Sequence, residues 1–151
     1  MAKRLMVVMA FVAVFVAAAT VADAASKHSF SGTLNARVLS SSQSEIVYTG
    51  ILTGKGMGEG AAIIHVTPAQ APNTFDSTGT AFFKRGTLTF KGTNTAATDP
   101  ATNNTTFTGT VKAVRGTGAL KGVKGSVNLT GSSTGADPNY GTFTLKGTLT
   151  Y

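Results

Sequence analysis

Glycine recurs at positions 116, 118, 122 and 125 in the stretch RGTGALKGVKG, Arg115 to Gly125, with basic residues between. Spacing of this kind raises the question of a phosphate cradle, in which the backbone N–H groups of a glycine-rich loop surround an anion. The dinucleotide fingerprint G-x-G-x-x-G needs glycine where Lys121 stands. It also needs a helix to follow, and SVNLTGS alternates as a strand does. A second stretch, Gly50 to Gly56, places three residues between Gly50 and Gly54 where a P-loop has four, and Lys55 is followed by Gly56 instead of Ser or Thr. Neither stretch fits a phosphate.

Acid–base chemistry has few candidates. Glu59 and His65 share one strand face but lie about 20 Å apart in extended chain, too far to act together. Asp76 could approach either from a neighbouring strand, and His28 stands near the start of the folded region. Glu59, His65 and Asp76 read as solvated or rim residues. They do not assemble a metal site, and no metal or cofactor is expected. The chain has no cysteine, which excludes a disulfide framework, a thiolate metal site and a cysteine nucleophile.

The elements that would position any site follow from an alternation of period two. In SFSGTLNARV, Phe30, Gly32, Leu34, Ala36 and Val38 fall on one face, with Ser31, Thr33, Asn35 and Arg37 on the other. The split recurs from Ile46, Gly60, Gly86, Phe107, Gly125 and Gly141. The segment TFDSTGTAFFK adds a less regular strand, in which Phe82 and Phe83 point opposite ways. Eight antiparallel strands are expected, joined by polar links such as NTAATDPATNN and SSTGADPN. Glycines within strands lie on the apolar face, where they let a sheet bend sharply. A sheet curling around its apolar face closes into a barrel, and eight strands leave room for side chains or one small ligand. The outer face is polar, the reverse of an outer-membrane barrel. A two-sheet sandwich is the alternative that the same strands permit.

The inward face of the regular strands carries no Asp, Glu, His, Lys or Arg. Its polar groups are the phenols of Tyr48 and Tyr151, which weighs against catalysis in the lumen. Tyr48 and Tyr151 are the expected hydrogen-bonding anchors of an apolar ligand site, with Phe90 lining its wall. The rest of the aromatic set reads as core.

The N-terminus has a separate character. MAKR precedes the apolar run LMVVMAFVAVFVAAATVA, and Ala22-Asp23-Ala24 has the form of a signal-peptidase site. Residues 1–24 are expected to be a signal peptide and 25–151 a single domain, secreted or periplasmic and not membrane-spanning once processed. An uncleaved anchor is the alternative. Without Lys3, Arg4 and Asp23 the formal charge falls from +7 to +6. Basic residues do not cluster in sequence, so no nucleic-acid partner is expected. Arg37, Lys91, Lys112 and Lys146 are the residues that would matter if the polar exterior contacted an anionic polymer.

The stretch Gly116-Thr117-Gly118, Leu120, Gly122 and Gly125 resembles the GGTGxFxxAxG signature of the allene oxide cyclase and dirigent families. GTLTFKGT, TFTGTVKAVRGTG and YGTFTLKGTLTY are compatible with the strands around it. Arg115 replaces the first glycine of the signature and Leu120 its usual aromatic. The resemblance implies an eight-stranded antiparallel barrel, a structural turn at Gly116–Gly125, and lipophilic substrates. A cyclase activity would follow only from matching catalytic positions, and none is matched. Lipocalins and biotin-binding barrels rely on a tryptophan, which this chain lacks. The expectation is an exported barrel that binds a small apolar ligand. The alternatives are a surface protein on anionic polymers and an isomerase of the cyclase kind.

Overall fold

The computed structural model describes residues 26–151. The expected signal peptide, residues 1–24, and its cleavage site lie outside the described residues. Eight strands follow one another: β1 (Lys27–Ser41), β2 (Ile46–Gly54), β3 (Gly58–Pro68), β4 (Thr74–Phe83), β5 (Gly86–Thr98), β6 (Thr105–Gly116), β7 (Lys124–Thr134) and β8 (Asp137–Thr150). Each pairs antiparallel with the next, and β8 returns to β1, so the sheet closes in chain order. The seam between β1 and β8 is continuous, from Lys27 opposite Thr150 to Arg37 opposite Tyr140. A two-sheet sandwich would leave those strands as edges. The fold is the expected eight-stranded barrel.

Alternation places the core as it should. Phe30, Leu34 and Ala36 from β1, Leu52 from β2, Ala62 and Ile64 from β3, and their counterparts on the remaining strands form one buried cluster. In β4 the two adjacent phenylalanines divide: Phe83 is 7% exposed and Phe82 is 48% exposed. The inward glycines have a second use besides bending. A methyl at Gly79 would sit 2.6 Å from the Phe90 ring, and one at Gly54 would sit 2.7 Å from the Phe30 ring. The missing Cβ is the space each ring occupies, so large side chains lie along the wall and leave the axis clear.

The two ends differ. At one end the chain turns between β2 and β3, between β4 and β5, and between β6 and β7. The last of these connections is the glycine-rich stretch. It forms a single 3₁₀ turn, Gly118–Leu120, and drives Leu120 and Val123 under the barrel, 1% and 3% exposed. Met57 from the β2–β3 turn joins them in the core. Four bonds hold this plug to the β4–β5 hairpin: Ala119 N donates to Arg85 O at 2.8 Å, Thr117 N to Thr87 O at 3.0 Å, Thr87 N to Thr117 Oγ1 at 3.0 Å, and the Thr87 and Thr117 hydroxyls bond each other at 2.8 Å. Gly86 must be glycine twice over. Its φ is +144°, and a Cβ there would collide with the Thr117 carbonyl. The stretch therefore closes the barrel floor.

β5 is longer than the sequence suggests. The segment expected as the loop NTAATDPATNN supplies five more strand residues, Asn94–Thr98, paired down to Thr98 opposite Thr105. The alternation does continue there, but through Asn, Ala and Thr, which carry little hydrophobic contrast. Part of SSTGADPN is likewise strand, since β7 reaches Thr134 and β8 begins at Asp137. These extensions raise the wall around the other end of the barrel.

Candidate functional site

Above the plug the lumen is hollow. A cavity of about 550 Å³ runs from Phe30, Leu88 and Leu149 near the floor to Asn73, Thr98, Ser133 and Pro138 at the open end. Small wall residues and inward glycines account for it, because an Ala or Gly leaves space that a Leu would fill. The wall is mainly aliphatic and aromatic. Phe107 and Phe143 form a tilted pair near the mouth, with centroids 5.5 Å apart. Among the described residues no Asp, Glu, Lys, Arg or His lines the cavity.

Tyr48, Ser77 and Asn94 are polar groups of its wall, besides Asn73, Thr98, Thr105 and Ser133 toward the open end. Tyr48 projects from β2, and burial pushes its phenol above the ordinary value near 10. Ser77 on β4 is 5% exposed and donates to Gly92 O at 3.3 Å. Asn94 on β5 donates from Nδ2 to Ser77 Oγ at 3.0 Å, while its Oδ1 is buried with no hydrogen-bond partner. An unspent buried acceptor is costly, about 1–3 kcal/mol. At the rim, Thr98 and Thr105 bond each other at 2.9 Å. Asp99, in the turn beyond them, accepts from Ala101 N at 2.9 Å and Thr102 Oγ1 at 2.7 Å; the Ala101 bond first, then Thr102, holds its carboxyl below the usual range.

The raised phenol has a testable consequence. Between the ordinary phenol value and the higher value of the folded state, the unfolded chain releases the Tyr48 proton and the barrel does not. Stability is therefore lost as pH rises above about 10. Tyrosinate absorbance is expected to show one tyrosine ionising above the ordinary phenol range, and that phase should vanish in Tyr48→Phe. A wild-type titration with no such phase would contradict the half-buried position of Tyr48.

Of the residues singled out from sequence, Tyr48 and Phe90 line the cavity. Tyr151 does not. It lies at the closed end, stacked on His28 with centroids 4.7 Å apart and with its hydroxyl 3.7 Å from where a Gly56 Cβ would be. Parity gave Tyr151 the right face of the sheet but not its height, since it follows the last residue of β8. The polar pair Ser77 and Asn94 went unnoticed. Ser77 lies on the irregular strand, and Asn94 in a segment read as loop. Continuing the parity of Gly92 by two residues would have found Asn94.

Glu59, His65 and Asp76 are exposed on the outside. His65 Nδ1 lies 3.0 Å from Glu45 Oε1, a partner the sequence did not suggest, and Asp76 accepts from Thr93 Oγ1 at 2.8 Å. Arg37 pairs with Asp137 at 3.3 Å and sits over the Tyr140 ring. Lys91 and Lys112 face each other across β5 and β6, while Lys146 stands opposite Ser31 and Asn128. These four basic residues do not form one patch. Among the described residues no group of three or more His, Cys, Asp or Glu could hold a metal ion, and no helix is long and apolar enough to cross a membrane. Comparison with protein-family models, curated proteins and solved structures finds no match to this chain.

Proposed function

We propose that this is an exported binding protein whose lumen takes up one small, neutral, lipophilic molecule through the open end. The observation that carries the reading is the cavity itself. Its volume, about 550 Å³, falls within the range of small-molecule sites, and its wall is apolar with a few polar groups, as such sites are built. Neutrality follows from the wall. A carboxylate or ammonium group placed there would lose its hydration with no opposite charge to meet it. One hydroxyl or carbonyl on the ligand has partners in Tyr48 and Asn94. Export rests on the N-terminal pattern of residues 1–24. Likeness of Gly116–Gly125 to the allene oxide cyclase and dirigent families belongs to the same proposal, as those families handle lipophilic substrates. Binding without turnover is the form we favour, because the cavity wall offers a phenol but no carboxylate or imidazole for proton transfer.

The test uses protein beginning at Ala25. An apolar fluorescent probe should gain intensity on binding, and a long-chain alcohol should displace it. The carboxylate of equal chain length should compete at least about tenfold more weakly at neutral pH, a difference of roughly 1.4 kcal/mol. Absence of any probe signal would refute the lumen site. Equal competition by alcohol and carboxylate would refute neutrality alone.

A further inference from the structure

Basic residues that are scattered along the sequence are gathered by the fold at the closed end. The turns and the plug carry Lys55, Lys84, Arg85 and Lys121, and the strand ends beside them carry Lys27, Arg115 and Lys124. All are exposed. The arrangement is one continuous surface. Arg85 Nη1 donates to Gly56 O at 3.1 Å, tying the β4–β5 turn to the β2–β3 turn, and Ala119 N donates to Arg85 O at 2.8 Å, tying both to the plug. Lys27 and Lys124 flank Thr150 in register, one from each neighbouring strand. Glu59 is the one acidic residue near this end among the described residues. The open end has the opposite balance. Among the described residues Glu45, Asp99 and Asp137 surround it; Arg37 is paired with Asp137, and His65 Nδ1 lies 3.0 Å from Glu45 Oε1.

We infer that the closed end is a docking surface for a membrane rich in anionic lipid, held there with the mouth facing away. Charge alone would suit any polyanion. Two apolar side chains in the basic ring favour a bilayer: Phe82 is 48% exposed, two residues from Lys84, and Val114 is 53% exposed beside Arg115. An apolar side chain among lysines inserts between lipid headgroups while the ammonium groups stay with the phosphates. A hydrated polysaccharide gives such residues nothing to enter.

Among the described residues every core residue lies between Phe30 and Leu149, and the sheet closes within Lys27–Thr150. The experiment therefore uses protein beginning at Ala25, which leaves out the apolar run, and its melting curve checks that it is folded. Sedimentation with vesicles of phosphatidylcholine containing phosphatidylglycerol should carry the protein down, and vesicles of phosphatidylcholine alone should not. Lys55→Gln/Lys84→Gln/Lys121→Gln should weaken partitioning about a hundredfold, at roughly tenfold or less per lysine. Lys91→Gln/Lys112→Gln/Lys146→Gln removes equal charge from the wall and should retain most of the binding. Phe82→Ser should weaken vesicle binding while leaving binding to soluble dextran sulfate unchanged. Melting curves confirm that each variant is folded. Equal losses in the two triple variants would overturn the proposal, as would binding to dextran sulfate without binding to anionic vesicles. Neither outcome bears on the lumen, which the probe experiment tests separately.

Discussion

Replacing Leu120 with alanine is expected to destabilise the barrel by about 2–5 kcal/mol, the cost of removing buried methyl groups and leaving a cavity behind. Leu120 is 1% exposed, the largest side chain so completely buried among the described residues. Its site cannot collapse readily. The loop around it is bonded to Arg85 and Thr87, and Gly116 lies so close to the Leu120 carbonyl that even a Cβ has no room. Thermal melting should fall by on the order of 10 °C. Urea titration should show a lower midpoint with an unchanged slope, since the surface exposed on unfolding is the same. A loss under about 1 kcal/mol would mean that the plug is not part of the cooperative unit, and the closed floor would then be a lid.

The second large effect is on binding and should leave stability alone. Ala96 lines the cavity on β5, opposite Phe107 near the mouth. Ala96→Trp places an indole in open space, so overpacking is avoided, and the ring occupies the route from the mouth to Tyr48. Probe affinity should drop by more than about tenfold, or 1.4 kcal/mol, with melting nearly unchanged. Ala97→Trp is the matched control. Ala97 is the next residue on the same strand, exposed on the outer face, and its replacement should leave affinity alone. Equal effects from both substitutions would show that binding occurs somewhere other than the lumen.

How much of this could be read from sequence depended on contrast between neighbouring residues. Where Phe, Leu and Val alternate with Thr and Lys, as in β1 and β8, the face of each residue was plain and so was the closure that the inward glycines imply. Where the inward residues are Asn94, Ala96 and Thr98, contrast disappears and the strand passed for a loop. The site suffered most, because its polar anchor Asn94 sits in that low-contrast segment. Height along the barrel axis is the other quantity a periodicity of two does not encode. Tyr48 and Tyr151 have equivalent parity, yet one faces the cavity and the other stacks on His28 beneath it. The basic end was hidden for a related reason. Lysines at 55, 84 and 121 are far apart in the chain and meet only because every second turn of a meander returns to the same end.

That up-and-down order has a consequence for how the chain acquires its structure. Seven of the eight ladders join consecutive strands and need only a short connection to form. The eighth, β1 with β8, brings together residues more than a hundred positions apart, such as Arg37 and Tyr140, and has to wait until the last strand is available. Ordering so long a loop is the slow part of such a topology. Until it closes, the growing sheet has two unpaired borders able to recruit a strand from another molecule, and its apolar face is uncovered. Closure removes both hazards in one step, so the pairing of β8 with β1 decides whether the sheet closes on itself or recruits a strand from another molecule.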